Sequence, residues 1–212
     1  MILLLGGEKG GTGKSTISFN MACYLLEKNK EVILIDADPQ QSSSKAVSRR
    51  HMNFPDSPKI PCVQLTGDIY DGLCELSDKY RHLVVDTGGR DSIELRSALL
   101  ISDVFYTTIR PSQVDLDTLP DLNDTTKKAK AMNRKLLSFA VFTHAPTNPN
   151  MDDKSEAKVI LDELPDFASS KVSLYYRSAY WRTFGNGISV LEYSDDKAAN
   201  EIRELGKEIY GE

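Results

Sequence analysis

The chain has 212 residues, with 26 basic against 31 acidic side chains and a formal net charge of −5. That length suits a single α/β domain over residues 1–212 with a sizeable core, and the acidic balance excludes binding to nucleic acid by overall charge, leaving only a local basic patch for that role. No apolar run approaches the roughly 20 residues that span a bilayer, and Met1 to Leu5 is too short and lacks the basic start of a signal peptide, so no membrane partner is expected.

Ile2-Leu3-Leu4-Leu5 reads as a short buried strand, and residues 17–26 carry apolar side chains at helical spacing. Between them stands Gly7-Glu8-Lys9-Gly10-Gly11-Thr12-Gly13-Lys14-Ser15-Thr16. A strand, a glycine-rich loop and a helix start form the context of a phosphate-binding loop. Gly10, Gly11 and Gly13 let backbone N–H groups converge on an anion, and the helix N-terminus adds its own positive end. Lys14 is placed for the β- and γ-phosphates of a nucleotide, and the Ser15 hydroxyl for Mg²⁺.

The loop departs from G-x-x-x-x-G-K-S in having Glu8 where that pattern has glycine, and in carrying a second lysine, Lys9. Lys9-Gly10-Gly11-Thr12-Gly13-Lys14-Ser15 resembles the K-G-G-x-G-K-[ST] loop of the deviant Walker ATPases, the group that includes ParA and MinD. The resemblance implies a three-layer P-loop fold with a mostly parallel central sheet flanked by helices, with ATP and Mg²⁺ as cofactors. It implies that Glu8, Gly10, Gly11, Thr12, Gly13, Lys14, Ser15 and Thr16 bind the nucleotide. It also implies that Lys9 crosses a dimer interface to the partner's phosphates, as an arginine finger does.

Val32 to Ile35 reads as a second buried strand, ending in Asp36-Ala37-Asp38-Pro39-Gln40-Gln41. Carboxylates at the carboxyl end of a parallel strand sit where open α/β sheets bind ligands, although a capped turn accounts for them too. The D-x-D-P-Q string resembles the same family, which implies that Asp38 orients the attacking water and Asp36 supports the Mg²⁺ shell. Pro55, Pro58 and Pro61 mark an exposed connection over residues 53–61. A short strand at 62–65 and a helix at 69–80 follow. His82 to Gly89 is an apolar strand ending on Asp86, the Walker B arrangement for a carboxylate serving Mg²⁺, and Gly88-Gly89 allows a mobile loop beyond it.

A helix closing at 97–102 leads to a strand at 104–109. Pro111 and Asp115 match a P-x-x-x-D loop of the family, and Asp115 either pairs across a dimer or caps the next helix. The helix expected over about 120–136 carries Lys127, Lys128, Lys130, Arg134 and Lys135 within an arc of about 160°. Leu122, Ala129, Met132 and Leu136 form its packing face. The basic stripe is either a solvated surface or a sequence-neutral contact with DNA phosphates.

Residues 137–143 form a further strand, and Thr143 matches the family's base-contacting position without the usual side chain. His144 has no evident partner. A helix over 153–164 and a strand over 172–175 precede Arg177, Tyr180, Trp181, Gly185, Gly187, Val190 and Glu192. These resemble the family segment that lies against the adenine, with Arg177 a nucleotide contact and the aromatic pair either stacking on the base or filling core. Residues 195–210 close the chain as a helix with Ala198, Ala199, Ile202, Leu205 and Ile209 on one face, and its mixed charges are unlike a membrane-seeking helix. Cys23, Cys62 and Cys74 form no C-x-x-C pair and read as buried reduced thiols.

The resemblance is to the smaller ParA-type partition ATPases. It implies a weak ATPase that dimerises on ATP, binds non-specific DNA and is stimulated by a centromere-binding ParB/ParG-like adaptor. The expected setting is the nucleoid within a bacterial or archaeal cytoplasm. An ATPase spacing a protein cargo, or a P-loop metabolic enzyme, would use the same loop. The first would bind DNA equally well and differs only in its partner, whereas the second would turn over ATP with a metabolite and be indifferent to DNA.

Overall fold

The computed structural model describes residues 1–148 and 153–211. Strand β1 (Ile2–Gly7) feeds α1 (Lys14–Glu27), and β2 (Val32–Ala37) feeds α2 (Ser42–Asn53). Next come β3 (Cys62–Gln64), α3 (Tyr70–Ser77), β4 (His82–Gly89), α4 (Ile93–Leu99) and β5 (Val104–Ile109). The short α5 (Gln113–Leu116), α6 (Leu119–Met132), β6 (Leu137–Ala145), α7 (Asp153–Asp162), β7 (Ala168–Tyr175), α8 (Ser178–Asn186) and α9 (Asp196–Tyr210) complete the chain.

The strands lie in the order β3-β2-β4-β1-β5-β6-β7, and each neighbouring pair is parallel. A parallel sheet needs cover on both faces, which is why β1, β2 and β5 are buried along their whole length rather than at alternate positions. On one face α1, α2, α8 and α9 bury Phe19, Met21, Val47, Ala179, Ile202 and Leu205 with Leu3, Leu5 and Leu34. On the other, α3 to α7 bury Leu73, Leu95, Leu116, Leu122 and Leu161 with Leu4, Ile35 and Val85. The expected three-layer α/β architecture is the one observed. The expected face of α9 is also buried, Ala198, Ala199, Ile202, Leu205 and Ile209 being at most 7% exposed.

From β1 the chain goes first toward β2 and β3, and from β4 it crosses to β5, β6 and β7. The order therefore reverses at β1, and the loop after β1 opens at the carboxyl edge of that reversal, where such sheets bind ligands.

Several boundaries differ from the sequence reading. The helix α6 stops at Met132 because Asn133 leaves helical geometry and its amide donates to the Leu99 and Ser102 carbonyls. Arg134 and Lys135 therefore lie beyond the helix. Met132 is 77% exposed rather than packed, and Asn133 takes the inward position. The 54–61 connection is mostly exposed, but Ile60 inserts fully into the core. Of the three free thiols, Cys23 is buried and Cys62 and Cys74 only half-buried.

Candidate nucleotide-binding site

The β1–α1 loop curls because Gly7, Gly11 and Gly13 take positive φ values of 147°, 72° and 98°. Gly10 does not need that freedom, contrary to the sequence reading, but a side chain on it would meet nothing within 4 Å. Gly13 stands immediately before Lys14 as the left-handed cap of α1, and side chains other than glycine pay strain in that region. Gly89, at the end of β4, presses on the loop from across the sheet. A Cβ there would lie 2.6 Å from the Lys9 carbonyl and the Gly10 nitrogen, so only glycine allows the two segments to touch.

The loop forms one wall of a cleft of about 840 Å³. Gly10, Gly11, Gly13, Lys14, Ser15 and Thr16 line it together with Asp38 and Gly88 from the neighbouring strands, Thr143 beside the loop, and Arg177. Glu8 and Thr12, grouped with these by the sequence, do not line the cleft, and neither does Lys9. Thr12 is buried, its hydroxyl sharing a 2.7 Å hydrogen bond with that of Thr108. Glu8 and Lys9 point to the opposite side, toward Asp115 and the start of α6. Burial, with Asp121 and Asp91 nearby, raises the Glu8 carboxyl above its ordinary range.

Lys14 is 6% exposed, and its Nζ donates to the Lys9 carbonyl at 2.6 Å. Burial lowers its pKa, against the opposing pull of Asp86, Asp38 and Asp115. Asp86 is wholly buried and accepts from the Ser43 hydroxyl at 2.6 Å on Oδ2. Burial pushes its carboxyl up to about 7, although Ser43 and Ser15 hold it down. Its second oxygen, Oδ1, is buried and makes no hydrogen bond of good geometry, the Ser15 hydroxyl lying near enough only to stabilise its charge. An orphaned carboxylate oxygen is costly. It suits a hard cation that takes one or two protein oxygens and completes its shell with water and phosphate. The oxygen donors Ser15 and Asp86 therefore fit Mg²⁺.

Asp36 does something different from the expected metal support. Its Oδ2 accepts the Ser44 N–H at 2.6 Å and its Oδ1 the Asp38 N–H at 3.2 Å. Both oxygens are thus engaged in starting α2 and orienting the Asp38 turn, and the side chain is 1% exposed. Asp38 itself accepts the Gln40 N–H at 2.9 Å and faces the cleft beside Gly88. Thr143 lines the cleft, but its hydroxyl donates to the Thr12 carbonyl at 2.8 Å and so braces the loop. Asp115 neither caps α5 nor stands free for a partner. Arg110 grips it in two parallel bonds at 2.9 and 3.0 Å. Burial would raise its carboxyl, but the Arg110 bonds outweigh that and Lys9 adds to the pull, so it lies below the ordinary range.

The basic stripe is only partly a surface. Lys127, Lys128, Arg134 and Lys135 are exposed, whereas Lys130 turns inward and donates to the Asp166 carbonyl at 2.5 Å. The chain order also concealed residues that matter here. Ser43 is indistinguishable from its neighbours Ser42 and Ser44 in sequence, and Glu201 of α9 is one acid among many on that helix.

A loop of this build, at the reversal point of a parallel sheet and opening a helix with lysine and serine, is that of a P-loop nucleotide-binding protein. The profile of the CobQ/CobB/MinD/ParA nucleotide-binding domain matches residues 3–188. The chain belongs to that family. Over 144 residues it is 27% identical to the virulence plasmid ParA family protein pGP5-D of Chlamydia trachomatis, covering 61% of this chain and 52% of that one. The chain spans about half or less of the length of the curated relatives it matches. Apo McdA from Cyanothece superposes with a TM-score of 0.77 at 14% identity over 98% of each chain. A putative plasmid partition protein of Borrelia burgdorferi bound to AMPPNP does so at 0.70 and 20% identity, again over 98% of each. At those identities the likeness is one of fold. No helix among the described residues is long and apolar enough to cross a membrane.

Proposed function

We propose that this chain is a ParA-type ATPase of DNA partition, acting as an ATP-dependent homodimer that binds DNA without sequence preference. The observation that carries this reading is the position of Lys9. It belongs to the P-loop, yet its side chain does not line its own cleft and lies instead toward Asp115. One lysine, Lys14, already serves the phosphates from inside, so a second that faces outward is suited to a neighbouring subunit's nucleotide.

In this reading the loop N–H groups and Lys14 hold the triphosphate of ATP. Ser15 and Asp86 would hold Mg²⁺, which when bound neutralises charge on the β- and γ-phosphates. Asp38 orients the attacking water at the γ-phosphate, and Asp36 fixes the turn that carries Asp38. Lys9 of each subunit stabilises charge on the other's nucleotide. The exposed lysines of α6 contact DNA phosphates. A centromere-bound adaptor of the ParB/ParG kind stimulates a slow basal turnover, placing the protein on the nucleoid.

The test is ATP turnover with and without non-specific DNA and a candidate adaptor, in wild type and Lys9→Ala. The variant should bind ATP normally, stay monomeric, and lose on the order of 10³-fold in stimulated turnover. Undiminished turnover in Lys9→Ala, or indifference of wild type to both DNA and adaptor, would reject the reading.

A further inference from the structure

Beyond Asp86 the chain turns through Gly88-Gly89-Arg90-Asp91-Ser92 into α4, and this turn carries a cation that the chemistry above does not use. Gly88, Gly89, Arg90 and Ser92 line the cleft together with Lys14 and Asp38. Asp86 and Asp38 come from β4 and from the end of β2, two strands on the same side of β1. Thr143 of β6 and Arg177, just past β7, come from the other side. The end of the cleft where metal and attacking water belong is therefore the β2–β4 side. Arg90 leaves β4 there.

The turn is anchored on both sides of Arg90. Before it, Gly89 pairs with Gly7 in the β1–β4 ladder and packs against the backbone of Lys9 and Gly10. After it, Arg96 grips both carboxylate oxygens of Asp91, and the Ser92 hydroxyl accepts the Leu95 N–H at 3.2 Å to start α4. A side chain mounted between two such anchors acts from a set position. The cations around the cleft also differ in what they meet. Arg96 is engaged by Asp91 and Lys14 by the Lys9 carbonyl. Arg177 is engaged by Glu201 of α9, which also accepts the Tyr175 N–H and the Tyr180 hydroxyl. Arg90 is exposed, and among the described residues no hydrogen bond or ion pair engages its guanidinium. Its charge is felt within the cleft wall all the same. Burial would raise the Glu94 carboxyl there, but the Gly67 N–H and, less strongly, Arg90 hold it below the ordinary range.

We propose that Arg90 is a further catalytic residue, a guanidinium from the nucleotide's own subunit that contacts the terminal phosphate and stabilises the charge shifting there during hydrolysis. The proposal rests on the nucleotide reading above and adds a cation that needs no second subunit. In the step it serves, a water oxygen bonds to the terminal phosphorus. The bridging P–O bond breaks and leaves its electron pair on ADP. One water proton stays on the released phosphate and the other passes to solvent. Arg90 neither gives nor takes a proton, because a guanidinium stays charged throughout. Its forked donors match phosphate oxygens, and hydrogen bonds between such charged groups are among the stronger ones.

Calorimetric titration of the full chain with Mg²⁺ present would compare AMPPNP, which keeps a terminal phosphate, with ADP, which lacks it. Arg90→Ala should weaken AMPPNP about tenfold, leave ADP unchanged and lower basal ATP turnover by on the order of 10³-fold. Arg90→Lys keeps the charge without the fork, so it should recover much of the affinity and little of the turnover. Both variants should melt with wild type, since Arg90 holds no internal partner. The AMPPNP loss should also persist in a Lys9→Ala background, because Arg90 acts within its own subunit. Equal losses of AMPPNP and ADP, or unchanged basal turnover, would overturn the proposal. So would a loss that disappears in the Lys9→Ala background, which would make Arg90 an interface residue. Failure of wild type to bind either nucleotide would instead refute the nucleotide reading itself.

Discussion

Lys14 donates its ammonium to the main-chain carbonyl of Lys9 at 2.6 Å, so the second lysine of the loop holds the first through its backbone and leaves its own side chain free. The two lysines are thus coupled in position but separated in direction, one facing the cleft and the other facing away from it.

Lys14→Met should therefore separate binding from folding. Lys14 is 6% exposed and burial disfavours its charge, so replacing it with an apolar side chain of similar length relieves a desolvation cost. Without nucleotide, the variant should melt at the wild-type temperature or slightly above it. The rise in melting temperature that ATP and Mg²⁺ cause in wild type should vanish. A thermal-shift titration decides the matter, and a retained nucleotide-dependent rise would show that Lys14 is not the phosphate ligand.

Asp86 predicts a pH dependence of the nucleotide-free protein. Its carboxyl is raised by burial to about 7 from an ordinary value of 3.8. Between those values the folded state binds more protons than the unfolded one. Its contribution to stability is thus complete below about pH 4 and is lost as pH rises through 7, with a slope of up to about 1.4 kcal/mol per pH unit. Asp86→Asn removes that contribution, keeps an acceptor for Ser43, and should flatten the fall in denaturant stability over this range. The same variant should lose the Mg²⁺ dependence of nucleotide binding. Parallel stability–pH curves for the two proteins would contradict this account.

The α6 lysines divide by what their ammonium groups meet. Lys127 and Lys128 are exposed, whereas Lys130 bonds the Asp166 carbonyl and lies 3.9 Å from its carboxylate. Replacing Lys127 and Lys128 together with alanine should weaken DNA binding for all sequences and reduce the salt slope by about 2. Lys130→Ala should leave DNA binding alone and lower stability by roughly 1 kcal/mol through the lost bond to the Asp166 segment. Fluorescence anisotropy across a salt series separates the two. Equal effects on DNA affinity would mean that Lys130 leaves its internal partner.

The sheet and the loop were legible in the sequence because each depends on neighbours in the chain. The runs Ile2–Leu5, Val32–Ile35, Val104–Ile109 and the approach to Asp86 are continuous apolar stretches, as strands covered on both faces must be. The glycine–lysine–serine string acts through backbone geometry within a single turn, so its spacing alone carries its meaning.

What remained hidden was direction. The resemblance grouped Glu8 and Thr12 with the residues that line the cleft, but the loop's curl turns them away from it, toward α6 and Thr108. A wheel drawn through residues 127–135 treated the segment as one helix, whereas Asn133 ends it by bonding to carbonyls more than 30 residues earlier in the chain.

By itself, then, the chain's order of residues determined the layered fold and the anion-binding turn, because local spacing sets both strand burial and loop curvature. Tertiary structure alone decided that Asp36 serves a helix start, that Asp86 keeps one oxygen unpartnered, and that Glu201 grips the junction carrying Tyr176 and Trp181. Each of these depends on which donor arrives from a distant segment, and hydrogen bonds over such separations leave no periodic trace in a sequence.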